Sequence, residues 1–573
     1  MQSIWNYYKT VLLDRLNKYK MKIQQITFIL FTFYFSSIQS QVTLNNEQKS
    51  LVSNISQEQM FVHFNSNFLI TGERLFYKVY TQNSTTKKLS KLSKIAYIAI
   101  VNKNKETVLE QKIKLTQGTG FGDFFISTPL TTGNYKIIGY TQWMKNKNLF
   151  FEDNLYIYNA FTSPPKNSKN TKEKKNYKIL KSYTKRAKVS FPVSHTVTDN
   201  FEGNFSISVK RINPSIIPGK MTSKQFSTKK NQTNVVIKNT NKTFFIPEFR
   251  GELLSGIVTS KNNRNVENLK VLASTIHKNG ITQITSTNKN GQFHFNLTKS
   301  LEKENLNIQL DVDTISNYSL SLLKKTPLDY SQLLFKEITT SEEINSIIKN
   351  KSIHLQIENA YSAIKTDLIK KDTFNFKKYQ QTPLTFVLDK YKRFNTMEET
   401  IIEVIQSCWL ENQSGNYTFY VRDENLENNK LFKPLIIVDG HIVTDHNELA
   451  NFHPRKIKTV HVFRKKHIIN SKQYHGIINV ETFNLSFKPD QAKIFKLNTL
   501  NISREKTYYK QDYSKNKDLR IPDYRTQLYW SPTIKNKEII FYTSDVSGVF
   551  EINTEGFTNT GKPISLKQYF KVE

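Results

Sequence analysis

Leu435-Ile436-Ile437-Val438-Asp439-Gly440-His441-Ile442-Val443 opens the stretch that decides how this chain folds. Lys456-Ile457-Lys458-Thr459-Val460-His461-Val462-Phe463 and Tyr474-His475-Gly476-Ile477-Ile478-Asn479-Val480-Glu481-Thr482-Phe483 continue it. Each run is short, apolar and β-branched, as a strand with covered faces must be. Asp439-Gly440 falls between two apolar runs. Both residues tolerate the positive φ of a primed two-residue turn, so the pair predicts a β-hairpin.

Upstream, Thr396-Met397-Glu398-Glu399 is a capping box, and Ile401, Ile402, Val404 and Ile405 continue a helical apolar pattern. Cys408, in Ile405-Gln406-Ser407-Cys408-Trp409-Leu410, is expected at the buried end of this helix as a core thiol. The order of these elements resembles the plug domain of TonB-dependent outer-membrane receptors. Pro434 to Gly440 stands for the family's "PLxxVDG" hairpin, and Leu449 to Ile457 for its "L…NP.DI" segment. Ile457 to Val462 stands for the "I..I.V" strand, Tyr474 to Thr482 for the terminal strand, and Phe394–Glu399 for the preceding helix. The glycine-rich lead into the last strand is reduced here to Gly476. The resemblance implies a small α+β plug-like unit over residues 385–485. A transporter barrel takes about 22 strands of about 9–11 residues each. The residues between Phe483 and position 573 are too few for that, so the unit is expected to lack a barrel.

Working outward, residues 339–372 read as the clearest helix. Thr340-Ser341-Glu342-Glu343 is its capping box, and Ile344, Ile347, Ile348, Leu355 and Ile364 are its apolar face. Residues 331–384 are therefore assigned as a helical connector. Phe245–Val312 carries strands ending in Asn290-Gly291-Gln292-Phe293-His294-Phe295, a pattern that resembles carboxypeptidase-regulatory-like sandwiches; that unit is drawn over 245–330. Residues 161–190 are rich in Lys, Asn and Ser around Pro164-Pro165 and read as a linker. Phe201–Arg211 alternates as a strand, so 161–244 is a linker with partial β structure. Beyond 485, Leu528-Tyr529-Trp530, Glu538–Asp545 and Gly548–Asn553 predict a C-terminal sandwich-like unit over 486–573.

Residues 41–160 show evenly spaced strands with turn signals, as a β-sandwich requires. Gly72–Tyr80, Gly118–Phe124 and Gly133–Met144 resemble the strands of a macroglobulin-type domain. Gly72 and Gly133 are expected to make tight turns, and Tyr135, Tyr140 and Trp143 to fill the core. Thioester macroglobulins carry Cys-Gly-Glu-Gln. Here Cys408 is followed by Trp409, Leu410 and Glu411, so the resemblance implies a module without that chemistry. Residues 1–40 form an N-terminal extension and signal peptide. Met21-Lys22 is the basic start, Ile26–Phe35 the apolar stretch and Ser36–Ser40 the cleavage region. That stretch is too short to cross a bilayer, which takes about 20 residues.

The 573 residues suggest about three to five domains. The formal charge of +35 invites a nucleic-acid reading. The Lys residues are spread through every segment, however, and no nucleic-acid motif is present, so nucleic acid is not an expected partner. One Cys excludes an internal disulfide. His441, His446, His453, His461, His467 and His475 crowd the plug-like stretch and invite a metal reading. No HExxH or paired CxxC accompanies them, and scattered structural histidines are the expectation. Asp123, Asp153, Asp439 and Asp545 are expected at turns. No nucleophile elbow, P-loop or dinucleotide signature is present. No catalytic, cofactor-binding or metal-ligating residue is assigned, and no cofactor is expected.

The reading is a mainly β, multi-domain chain of β-sandwich modules plus a small α+β plug-like domain. It is expected to be exported to the periplasm or outer membrane. There it would act without catalysis, as a binding or scaffold protein docking on an envelope or outer-membrane protein such as a TonB-dependent transport complex. Sheet edges would offer strand addition, and an anionic membrane surface is a further candidate partner. The alternative is a secreted or surface adhesin recognising glycan or an anionic surface. A third reading, a hydrolase, predicts a deep pocket with two or more carboxylates.

Overall fold

The computed structural model describes residues 55–573 apart from 163–176, 194–201, 213–216, 230–244, 277–281, 298–305, 313–314, 324, 337–341, 371–381, 424–429, 470–471, 492–493, 498–499, 501, 515–519, 535 and 537. The signal peptide and the Thr340-Ser341 half of the first capping box lie outside the described residues. The chain is mainly β and built as several sandwiches, as the alternation of its sequence requires. Among the described residues, no helix is long and apolar enough to cross a membrane.

The first sandwich packs the three strands Glu58–Phe64, Arg74–Asn83 and Thr119–Phe125 on a five-stranded sheet. That sheet is ordered Phe68–Ile70, Phe151–Tyr158, Gly133–Tyr140, Ile95–Asn102, Thr107–Lys114. Phe61, Tyr77, Ile98, Ile137 and Leu155 meet in its core. Gly72 turns the chain at a φ of 94°, which costs a residue without Cβ nothing. Gly133 instead begins an ordinary strand. Tyr135, Tyr140 and Trp143 are buried as expected.

The second sandwich is made from two distant parts of the chain. Its main sheet runs Gln527–Ser531, Gly203–Arg211, Gly548–Thr558, Pro563–Val572, Ile179–Tyr183, and Lys188–Pro192 pairs with Glu538–Tyr542 beside it. The sequence reads 161–244 and 486–573 apart, yet strands of both stretches share one sheet. Two strands also occupy the stretch read as a linker. Val189, Phe205, Ile207, Phe541, Phe550 and Phe570 form the common core.

The third sandwich, over Glu252–Leu322, packs three strands on four. The fourth of those is Phe495–Leu497, supplied from beyond the plug-like unit. Gly291 takes the turn before Gln292–Leu297 at a φ of 72°.

The plug-like stretch folds as a mixed sheet ordered Leu384–Val387, Ile457–Ile469, Lys472–Thr482, Leu435–Val438, His441–Val443. Leu435–Val438 runs parallel to Lys472–Thr482, and the other pairs are antiparallel. Asp439 and Gly440 have φ of 50° and 88°, the two positive values that a type I′ hairpin turn needs. Ile436, Val438, Val460, Ile478 and Val480 bury one face against helices Met397–Glu403 and His446–Ala450. Thr396 caps the first of these helices in a full capping box with Glu399. That helix ends at Glu403, so Cys408 opens the strand Cys408–Gln413 instead of closing a helix.

The helix Glu342–Ala360 docks on the first sandwich. Ile344, Ile347, Ile348 and Leu355 pack against Phe68, Ile70, Tyr156 and Tyr158. Ile364 lies beyond its end and is 52% exposed.

Candidate functional site

The histidines of the plug-like unit are spread apart, each into local structure. His441 is buried with Nδ1 3.1 Å from Ser274 Oγ of the third sandwich. His446 Nδ1 accepts the Phe419 N–H, and His453 Nδ1 accepts the Arg455 N–H as a helix cap. His461 Nδ1 lies 3.0 Å from Thr385 Oγ1. His475 is buried on the strand Lys472–Thr482, and His467 is partly exposed on Ile457–Ile469. Among the described residues, no three His, Cys, Asp or Glu side chains are placed to hold a metal ion. Burial pushes the thiol of Cys408 up to about 12, far from a nucleophile's range.

The aspartates are also structural. The Asp439 carboxylate accepts the Thr482 N–H at 2.7 Å, the Thr482 hydroxyl at 2.5 Å and the Phe487 N–H at 3.3 Å, tying the hairpin turn to the end of the last strand. Asp545 receives Arg186 through two 2.7 Å bonds in a turn. Asp123 and Asp153, expected at turns, sit inside the strands Thr119–Phe125 and Phe151–Tyr158.

Besides Ser274–His441 and Ser255–His294, a third Ser–His pair meets between two sandwiches. His63 Nδ1 lies 2.7 Å from Ser206 Oγ, and His63 Nε2 lies 3.5 Å from Asn553 Nδ2. Tyr80 Oη is 2.7 Å from the same serine. The serine is fully buried between the first and second sandwiches. Burial pushes the His63 imidazole well below its ordinary value, and Lys220 and Lys78 push the same way. A nucleophile needs a place for its substrate; this pair is a hydrogen-bonded seam between two sandwiches.

Space is found one layer away. A cleft of about 680 Å³ opens between the first sandwich, the second sandwich and the helix Glu342–Ala360. Three local rules build its walls. On the helix, Lys351, His354, Leu355 and Glu358 fall at i, i+3, i+4 and i+7 and share one face. On the strand Arg74–Asn83, Arg74 and Phe76 face the cleft while Leu75 and Tyr77 go to the core. The segments 506–509 and 524–530 close it with Tyr508, Tyr509, Tyr524, Tyr529 and Trp530. The rings brace one another. Phe76 meets Tyr508 edge-on at 4.9 Å and stacks on Trp530 at 6.0 Å, and His354 stacks on Tyr524 at 4.9 Å.

The cleft carries three carboxylates, the feature the hydrolase reading predicts. Each is held by a cation. Glu73 takes Lys351 at 2.9 Å and the Ile70 N–H at 2.8 Å. Glu358 takes Lys365 at 2.7 Å and the Tyr524 N–H at 2.6 Å, and Asp367 takes Arg74 at 2.9 Å and the Tyr509 N–H at 2.9 Å. Burial alone would raise the Glu73 carboxyl; Lys351 and Lys210 more than offset it and hold it below its ordinary range. A general acid needs the opposite shift.

The cations are committed in turn. Lys506 holds Asp123 at 2.7 Å, and Arg525 grips Asp523 through two 2.6 Å bonds. Lys210 differs. It is 7% exposed and lines both the cleft and a neighbouring 150 Å³ cavity. Among the described residues its ammonium has no hydrogen-bond or ion-pair partner. Burial pushes it down to about 7; Glu73 offsets this in part, and Lys351 and Lys220 oppose. None of these cleft residues was assigned a functional role in the sequence; Leu355 read as part of the helix's apolar face and Tyr529-Trp530 as part of a strand.

No family model matches the chain, and no curated protein matches it. Solved structures that match include native alpha-2-macroglobulin of E. coli, at 8% identity and a TM-score of 0.16 over 90% of this chain and 22% of that one. The elastase-activated E. coli protein matches at 9% identity and a TM-score of 0.23 over 90% and 44%. Methylamine-reacted Salmonella alpha-2-macroglobulin matches at 8% and 0.16 over 90% and 24%. This chain spans less than half the length of these structures. At such values the likeness assigns neither activity nor partner.

Proposed function

We propose that this chain is a non-enzymatic binding protein of the bacterial cell envelope. It would hold a protein partner in the cleft between its first two sandwiches. The observation that carries the reading is the cleft itself: about 680 Å³, walled by braced aromatic rings and closed ion pairs, within the size range of binding sites. Its carboxylates are bound to cations, which favours recognition over the hydrolase alternative. The plug-like mixed sheet and the third sandwich then serve as spacers that present the cleft, and an outer-membrane receptor or transport complex is the partner expected. Export to the periplasm or the outer membrane belongs to this proposal and rests on the leader read in the sequence.

Photo-cross-linking in envelope extracts tests it. Benzoylphenylalanine in place of Phe125 or Ile369, exposed at the cleft rim, is expected to trap one outer-membrane protein. The same probe in place of Ile402, exposed on the helix of the plug-like unit, is expected not to. Equal capture from all three positions, or none, removes the cleft from the function.

A further inference from the structure

Five of the six basic side chains lining the cleft have a carboxylate within ion-pair distance: Arg74, Lys351, Lys365, Lys506 and Arg525. The sixth, Lys210, has none among the described residues. We propose that Lys210 anchors the carboxylate of an acidic peptide segment entering this cleft, with an apolar side chain of that segment seated on the rim at Phe125, Leu355 and Ile369. This rests on the cleft being the recognition site.

Five observations select that ligand. A single uncommitted cation matches a monoanion, whereas a phosphate group carries about −1.5 to −2 charges and calls for several donors. Lys210 is already nine-tenths buried, so a ligand carboxylate that reaches it gains a charge-assisted bond with little further desolvation of the lysine. The rim offers exposed apolar side chains among its polar ones: Phe125 is 53% and Ile369 49% exposed. Sugar stacking needs open ring faces, and Tyr508, Tyr529 and Trp530 are all nine-tenths buried, with Phe76 packed on two of them and Lys510 over Tyr529; of the two half-buried rings Tyr524 is stacked on His354, which leaves Tyr509 alone. The +35 charge of the chain also favours the approach of an acidic partner.

The test uses the full chain and two fluorescent tetrapeptides, one ending Leu-Phe-Glu and one ending Leu-Phe-Gln, both amidated. Fluorescence anisotropy is expected to show the Glu peptide binding about 10-fold or more tighter than the Gln peptide. Lys210→Met is expected to abolish that difference, and Lys210→Arg to keep it. The peptide pair on the unsubstituted chain decides the matter even where a variant does not fold. Equal binding of the two peptides overturns the proposal. So does no binding of either, an unchanged preference in Lys210→Met, or tighter binding of a phosphopeptide or a uronate oligosaccharide. If rim cross-linking still traps a partner while these peptides fail, the acidic-peptide assignment falls alone. If both fail, the cleft reading falls with it.

Discussion

The mixed-sheet unit and the junction of the first two sandwiches hold themselves together by opposite means. In the mixed sheet, Ile436, Val438, Val460, Ile478 and Val480 fill an apolar layer, and buried polar groups such as Asp439, His446 and Thr482 are bonded within the unit. At the junction, His63, Ser206, Tyr80 and Glu555 are buried in one hydrogen-bonded seam, with Lys78 bonded to Asn204 and Pro532 beside it. An apolar core is stable because area leaves water, and it needs nothing from outside. A polar seam is stable only while every group is paired. The cleft, where among the described residues Lys210 alone of the lining basic side chains has no carboxylate at ion-pair distance, lies at the edge of the polar seam. The difference is one of legibility: the apolar layer follows from short runs of sequence, and the polar junction forms only when distant segments meet.

The largest effect that tests this contrast is expected in the mixed sheet. Ile478→Ala empties part of a closed apolar core and is expected to cost about 2–5 kcal/mol, read as a lower urea midpoint for that unit. Rim cross-linking from Phe125 is expected to survive it. Loss of that capture in a chain whose sandwiches remain folded would tie the cleft to the plug-like unit and end the division of labour.

A smaller effect is expected at the seam. Ser206→Ala leaves His63 Nδ1 and Tyr80 Oη each short of a partner at a fully buried position. The expected loss is about 1–3 kcal/mol, seen as faster hydrogen exchange in 203–211 and 548–558 and not in 457–482. An unchanged exchange pattern would mean the two sandwiches adhere through their apolar contacts alone.

The same contrast explains what could be read beforehand. The Asp439-Gly440 hairpin and the Thr396 capping box are local: a few adjacent residues set the dihedral angles and the hydrogen bonds. The strands of 41–160 showed as short apolar runs between turn signals, and Glu58–Phe64 and Ile95–Asn102 are buried on both faces. The second sandwich did not show, because Gly203–Arg211 finds its neighbours more than 300 positions later, at Gln527–Ser531 and Gly548–Thr558. Ile179–Tyr183 gave no alternation because nearly all of it is exposed. It is a strand only through its pairing with Pro563–Val572. The cleft was illegible for the same reason: Glu73, Lys210, Lys351, Tyr508 and Trp530 meet only after that long-range pairing. Asp439 was rightly placed in a turn, but its bonds to Thr482 and Phe487 could not be foreseen from the turn alone.

The finest test is the sign of a pH dependence. Burial holds Lys210 at about 7 against an ordinary 10.5; among its neighbours Glu73 raises it, while Lys351 and Lys220 lower it. Between pH 7 and 10.5 the unfolded chain therefore binds a proton here that the native chain does not, and native stability rises with pH across that window. Lys78, also near 7, and Lys220, near 8, add to the same slope. In the mixed sheet, burial pushes His441 and His446 down to about 4 from 6.5. Their contribution is complete above pH 6.5 and is lost as pH falls toward 4, so they add nothing on the alkaline side. Hydrogen exchange corrected for its intrinsic pH dependence should show 203–211 becoming better protected from pH 7 to 9, while 435–443 stays level. Lys210→Met should flatten part of the first slope and leave the second untouched. A rising slope that survives the substitution in full would assign the effect to Lys78 and Lys220. It would also leave Lys210 ionised in the native chain, with Glu73 as its counter-charge.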